Sequence, residues 1–561
     1  MPTVTLDRKE FEKFVGMHLP DDKLKDRISM IGTDLESLNE KEIVVEIFPN
    51  RPDWLSEQGF ARAMSAFLGK KTGLPEYQIK KSGYKVMVDK SVTMRPYTAC
   101  AIVKKLKFTD ERIRETMQLQ EKLATTHGRN RKKSEYGLYP STKIAFPVTY
   151  IAKDPKDVLF QPLGFDKAIT ADQVEELHPK GRTYKDVAKG WKKYPFFIDG
   201  KKKVMSMLPY TNSEDTGKID ETTTEVFVEC TGTDLNNVLV ALNILVTTLA
   251  DMGGEIYSID VVYPDQTITT PNLEPKKMKI DRGTINKLLG LNLNEKELKQ
   301  LLEKMNYGYE KETEQKGTVL IPAYRGDIMH PVDIVEDVAI AYGYENFEEI
   351  IPKVATVAQE DPFAVFKRRL GYLLVGLGLL ETRTYNLQDE HWQTQACNLT
   401  DEKLVAEILS ILDPVSLEYN TLRLWMIPSL LHVLKINKHH EYPQKIFEIG
   451  RVFKKQDELE NKSKEVERLC LVSAHADANF TEIKQYLEYL MKHLDATYTV
   501  EETEHPAFVV GRVGRVVCKG KKIAYVGEIH PQVLQNFELE MPVVALELNV
   551  SELFGLLKED S

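Results

Sequence analysis

A single hydrophobic core stops growing at roughly 250–300 residues, and this chain has 561, so it must divide into separately packed units. At roughly 100–200 residues apiece, about three to five are expected. The composition suits folded units throughout: 42% hydrophobic and 29% charged residues, with 31 Gly and 26 Pro, exclude a collagen-like or wholly disordered chain. The balance of 75 basic against 85 acidic side chains, net −10, supplies no global positive field, so any contact with nucleic acid has to use local patches. Cys100, Cys230, Cys397, Cys470 and Cys518 are far apart and never form C-x-x-C, which fits neither a disulfide scaffold nor a zinc knuckle and points to a reducing, cytoplasmic setting. The N-terminal residues lack an apolar signal core, and the longest apolar stretch, Val238 to Met252, is broken by Asn243 and Asp251. No membrane span is expected.

Periodicity divides the chain into four parts. Residues 1–90 read as a small α/β domain, with a helix from Asp7, a β-branched run from Glu42 to Phe48, and a helix that Ser56 caps and Gly69 ends. Residues 91–265 read as a second α/β domain, with a strand from Thr98 to Lys104 and helices from Asp110 to Ala124 and from Asn236 to Asp251. The threonines and prolines of residues 264–273 suggest a linker. Residues 270–347 read as helix-rich, and residues 358–561 as a large α+β domain around an antiparallel sheet. The expected class is therefore multidomain α+β.

Three segments could carry chemistry. In the run from Ile321 to Val338, a helix starting at Pro331 places Asp333, Glu336 and Asp337 at i, i+3 and i+4 on one face. Like charges there repel, and a hard cation held with Asp327 would relieve them, magnesium before calcium because the ligands are few. A solvated helix start, with acids favoured by the dipole and Asp333 as a cap, is the alternative. The basic run from Gly128 to Lys133 could set Arg129 and Arg131 on phosphates, or be a solvated loop. Asn212, Ser213, Glu214, Glu229, Thr231 and Asp234 lie at strand ends, where such groups can hold a small polar ligand and orient a water, or serve turns and caps. The Lys201 to Lys203 run reads as a hairpin tip. Gly376-Leu-Gly378 is too short for a dinucleotide fingerprint and suggests helix packing. No self-contained catalytic motif is visible.

Taken together, Phe48-Pro-Asn-Arg-Pro-Asp53, Gly128-Arg-Asn-Arg131, Asn212-Ser213 with Glu229-Cys-Thr-Gly-Thr-Asp234, Tyr324-Arg-Gly-Asp-Ile328 with Asp333-Ile-Val-Glu-Asp-Val338, Leu422-Arg423, Ile446-Phe-Glu-Ile-Gly450 and Gly527-Glu-Ile-His-Pro531 resemble the β subunits of phenylalanyl-tRNA synthetase in their shorter archaeal and eukaryotic form. The resemblance runs along essentially the whole chain. It implies an α2β2 heterotetramer that joins phenylalanine to tRNA(Phe) with ATP, in which the α subunit carries the activation site. The last domain would be a class II synthetase-like core without its catalytic motifs.

The resemblance also implies magnesium at Asp327, Asp333, Glu336 and Asp337. It makes the second domain a proofreading module that hydrolyses tyrosine mischarged on tRNA(Phe), with Asn212, Ser213, Glu214, Glu229, Thr231 and Asp234 as its site and Arg129 and Arg131 as tRNA phosphate contacts. A second sieve of this kind is chemically reasonable, because an apolar site rejects an isostere with one added hydroxyl by only about 10²-fold. The rival reading is a stand-alone tRNA-binding or trans-editing protein.

Overall fold

The computed structural model describes residues 2–558. The chain forms two compact units, Met1–Ile351 and Pro352–Ser561, and belongs to the α+β class.

The first unit carries three main sheets that share one large core, with two smaller buried clusters beside the second sheet. Its N-terminal sheet has Glu42–Glu46 between Thr3–Asp7 and Asp34–Leu38, all antiparallel. Asp7 caps the helix Arg8–Val15 by accepting from Glu10 N, and Ser56 caps Glu57–Phe67 by accepting from Gly59 N. Gly59 is a close-approach position, since a Cβ there would lie 1.9 Å from the Asp53 carbonyl oxygen. This is why the segment after Asp53 needs a glycine.

The second sheet has ten strands. Val226–Gly232 lies between Tyr97–Lys104 and Ser134–Pro140, antiparallel to both. The apolar helix Leu235–Asp251, capped by Asp234, lies against these strands and is buried on nearly every face. That accounts for its largely apolar composition. The segment expected to be a linker is partly strand instead: Thr267–Thr270 pairs with Glu255–Val262, because β-branched threonines suit an edge as well as a loop.

The third sheet has Lys316–Ile321 between Lys276–Asp281 and Gly308–Lys311, with helices Arg282–Leu289, Glu295–Lys304 and Pro331–Tyr342. Its core joins that of the other two: Phe60, Leu119, Ile244, Leu298 and Ile334 belong to one buried cluster. The N-terminal part is locked onto the long helix. Ser56 Oγ lies 3.2 Å from Thr248 Oγ1, and Arg62 reaches Asp251 and stacks over the Tyr324 ring.

The second unit is built on a seven-stranded sheet in the order Leu380–Glu381, Gln444–Lys455, Ser463–Ala474, Val543–Asn549, Lys521–Ile529, Phe508–Cys518, Thr499–Glu502. Only the short first strand is parallel to its neighbour. Helices Pro362–Gly376, Phe480–His493 and Val550–Lys558 contribute to the core on one face, and Ile427–Ile436 to the core on the other. Gly376 and Gly378 end a helix rather than pack two together: nothing lies within 4 Å of either notional Cβ, and Gly378 has φ +81°. Arg423 and Glu448 form a fully buried ion pair at 2.8 Å, and a Cβ on Gly450 would lie 2.4 Å from the Arg423 guanidinium. The motifs around Leu422 and Ile446 thus hold this face of the sheet together.

Candidate active site

A cavity of about 760 Å³ opens beside the ten-stranded sheet. Apolar side chains such as Met117, Leu163, Leu208 and Ile219 form much of its wall, and Asn212, Glu229, Glu135, Arg131 and His178 supply polar groups.

Strand register explains how its acids come together. Glu229 pairs across the sheet with Gly137, and Thr231 with Glu135. With a period of two, Glu135, Gly137 and Tyr139 share a face with Glu229 and Thr231. A Cβ on Gly137 would lie 2.4 Å from Glu229 Oε1 and 2.6 Å from Tyr139 Oη, so the missing side chain is the space in which those two groups meet. Tyr139 Oη stands 3.0 Å from Glu229 Oε1 and 3.1 Å from Asn212 Oδ1.

Glu229 is fully buried, and burial, reinforced by the charge of Glu135, pushes its pKa up to about 8. At neutral pH it is mostly a protonated acid. Its Oε2, both oxygens of Glu135, and Thr231 Oγ1 have no hydrogen-bond partner among the described residues. Buried polar atoms are normally paired, so this cluster marks a surface made to receive polar groups.

The rim is already satisfied. Glu121 takes hydrogen bonds from Tyr184 Oη at 2.6 Å, Arg131 Nη2 at 3.0 Å and Lys180 Nζ at 3.3 Å. Arg131 also donates to the Pro209 carbonyl at 3.0 Å and stacks over the Tyr184 ring. His178 is held by Lys180 N, which donates to its Nδ1, and burial lowers its pKa.

Of the six candidate residues, the structure brings Asn212 and Glu229 into the cavity and sets Thr231 beside them. The other three hold local structure. Ser213 caps the short helix Glu214–Gly217, Glu214 accepts from Gly164 N at 2.8 Å, and Asp234 accepts from Asn237 N at 2.8 Å. Sequence reasoning missed Glu135, Tyr139 and His178. The alternation Glu135, Gly137, Tyr139 inside an otherwise apolar strand is the signal that could have exposed the first two.

Arg131 is a wall residue whose hydrogen bonds are made within the chain, whereas Arg129 is exposed. Arg129, Asn130 and Arg131 have φ of 50°, 52° and 62°. Three successive left-handed residues without glycine are strained. They are held by Arg131 N donating to the Ala124 carbonyl and by the packing of the Arg131 side chain.

The acidic segment is arranged differently from the expected cation site. Arg325, fully buried, grips Asp327 with two hydrogen bonds of 2.8 and 2.7 Å and reaches Asp337 at 2.9 Å. Tyr307 Oη also donates to Asp337. Burial pushes Asp327 up, but the Arg325 charge and hydrogen bonds carry it below its ordinary value. Asp333 accepts from Met329 N and His330 N, both at 2.8 Å, and Glu336 is exposed. His330, not Asp333, is the N-cap of Pro331–Tyr342. Among the described residues no three His, Cys, Asp or Glu are placed to share a metal ion. As arranged, Asp327, Asp333, Glu336 and Asp337 do not fit magnesium, because Arg325 already hydrogen-bonds two of them and a helix start engages a third.

Family models match at two places: residues 278–344 fit the tRNA synthetase B5 domain, and residues 347–550 the phenylalanyl tRNA synthetase beta chain CLM domain. The phenylalanine–tRNA ligase beta subunit of Pyrococcus abyssi is 40% identical over 99% of this chain and 100% of its own length. That of Archaeoglobus fulgidus is 40% identical over 99% of each. The chain belongs to the phenylalanine–tRNA ligase beta-subunit family. A crystal structure of an N-terminal fragment of the Pyrococcus horikoshii phenylalanyl-tRNA synthetase beta subunit shares 39% identity, covering 61% of this chain and 99% of that one with a TM-score of 0.59. Membership in a ligase beta-subunit family decides for an aminoacyl-tRNA synthetase subunit over a stand-alone tRNA-binding protein. Among the described residues no helix is long and apolar enough to cross a membrane.

Proposed function

We propose that this chain is the assembly and editing subunit of a cytoplasmic α2β2 phenylalanine–tRNA ligase, which converts ATP, L-phenylalanine and tRNA(Phe) to AMP, diphosphate and L-phenylalanyl-tRNA(Phe). Its working parts are residues 1–90, an editing domain at 91–265, a helix-rich domain at 270–347, and a class II-like core at 358–561 without activation motifs. ATP and phenylalanine are handled by the α partner. Magnesium enters with the phosphates of ATP at that site.

The observation that carries the editing role is Glu229: a neutral acid set in the gap left by Gly137, beside Tyr139, within a largely apolar cavity. A tyrosyl side chain entering it would meet a hydrogen-bonding acid where a phenylalanyl side chain offers only C–H. Water then attacks the ester carbonyl carbon, the bond to the terminal ribose oxygen breaks, that oxygen takes a proton, and tyrosine and tRNA(Phe) leave. No nucleophile of the chain is required; Asn212 and Thr231 are placed to orient groups. Arg129 is exposed, two residues from the wall residue Arg131, and suits a tRNA phosphate.

In the second unit, Tyr372, Val375 and Tyr385 are exposed and line one open cavity of about 730 Å³. An exposed apolar surface of that kind suits a subunit partner. The deciding experiment is deacylation of tyrosyl-tRNA(Phe) by the full chain with its partner. Hydrolysis that Glu229→Ala and Asn212→Ala abolish supports the reading, and no hydrolysis by the wild type defeats it. ATP–diphosphate exchange by this chain alone would defeat the assembly role.

A further inference from the structure

One buried acid of the cavity has no task in the editing chemistry above. Glu135 is 4% exposed, and neither of its carboxylate oxygens has a partner among the described residues. Arg95, the cation whose charge acts on it most, is tied elsewhere, donating to the Arg131 carbonyl at 2.8 Å and the Thr231 carbonyl at 3.1 Å. A buried carboxyl without a hydrogen bond is among the costliest groups a fold can hold. The cost is offset only by something that enters the cavity.

Register says where that something must reach. Glu135 stands opposite Thr231, two residues along from the Gly137 and Glu229 pair, so the two acids are diagonal neighbours on one face, their α-carbons about 7–8 Å apart. They line the same cavity at two separate points. Other charged groups of the cavity wall are engaged. Glu121, the third acid lining it, is held by Tyr184, Arg131 and Lys180. Asn212 Oδ1 faces Tyr139, and His178 Nδ1 accepts from Lys180 N, which leaves that imidazole a donor on its other nitrogen.

We infer that Glu135 binds the α-ammonium of the aminoacyl group, so that the cavity grips its substrate at both ends, hydroxyl at Glu229 and ammonium at Glu135. This rests on the editing reading of the same cavity. The two acids then have separate jobs. Glu229 senses which side chain has entered; Glu135 demands that the ester be one of an amino acid. Burial raises the Glu135 pKa while Arg95 and Arg131 pull it down, and an arriving ammonium would favour the carboxylate further.

The test uses the full-length chain with two esters: tyrosyl-tRNA(Phe), and 3-(4-hydroxyphenyl)propanoyl-tRNA(Phe), which lacks the amine. Wild type is expected to prefer the first, and Glu135→Gln, which keeps the size but cannot carry charge, should cut that preference about 10- to 100-fold in kcat/KM. The loss should fall on the amine-bearing ester alone. The melting temperature of Glu135→Gln should stay level or rise, since an orphaned acid is replaced by a neutral amide, whereas a structural role would lower it. An unchanged preference in Glu135→Gln overturns the inference and leaves the editing reading standing. Should wild type hydrolyse neither ester, the editing reading fails. Calorimetric titration with free tyrosine and with 3-(4-hydroxyphenyl)propanoate then judges Glu135 separately: a preference for tyrosine that Glu135→Gln removes supports it, and equal binding overturns it.

Discussion

Two clusters of buried acids in the first unit are accommodated in opposite ways. Around Arg325, Asp327 and Asp337 share one guanidinium. In the cavity, Glu229 is held protonated, and Glu135 is pushed up by burial with no hydrogen-bond partner among the described residues. A carboxylate already matched to an arginine is finished structure, and its removal should be felt in folding. A carboxyl left without a mate is unfinished, and its removal should be felt in binding.

The most severe consequence should come from Arg325→Ala, which takes the guanidinium from two buried carboxylates and leaves Asp337 only the Tyr307 hydroxyl. A loss of about 3–5 kcal/mol is expected, read from denaturant unfolding; a loss below 1 kcal/mol would put the Arg325 cluster in the same category as the cavity. Next, Glu229→Ala should lower kcat/KM for tyrosyl-tRNA(Phe) by about 10²-fold or more, while folding stability moves by less than about 1 kcal/mol. Gly137→Ala forces a methyl group into the space shared by Glu229 and Tyr139, with about 1–3 kcal/mol lost to overpacking and editing lost with it.

The two clusters should also answer pH with opposite signs. The folded pKa of Glu229 is raised, so its contribution to stability is complete below its unfolded value and is lost as pH rises through about 8. The folded pKa of Asp327 is lowered, so its contribution is present above its unfolded value and is lost as pH falls through the folded one. Each group can tilt stability by at most about 1.4 kcal/mol per pH unit. Denaturant melts between pH 5 and 9 should therefore flatten in Glu229→Gln and keep their slope in Asp327→Asn. The mildest effect is expected from Arg129→Ala: tRNA affinity a few-fold weaker and a salt dependence shallower by about one counterion, measured by filter binding at several salt concentrations.

Much of the architecture could be read from residue patterns. Ser56 has its expected role as a cap, and Asp7 and Asp234 cap the helices that follow them, because an N-cap is a local contact between a short polar side chain and a backbone amide three residues on. Glu135 is legible only in part: period two tells which residues share its face, not whether that face will be covered. Arg325 was overlooked because its choice of Asp327 and Asp337 depends on burial, which the spacing of the acids does not encode. Spacing placed Asp333, Glu336 and Asp337 on one helix correctly, yet side-chain direction sends Asp333 to the helix start and Asp337 inward.

The anchoring of the first ninety residues on the helix Leu235–Asp251 has a consequence during synthesis. Ser56 and its partner Thr248 are 192 positions apart, and at about 5–20 residues per second a ribosome needs roughly 10 to 40 s to make what lies between. For that interval Phe60 and Met64 have no long helix to cover them. The nascent N-terminus is thus the stretch on which a chaperone would be expected to wait.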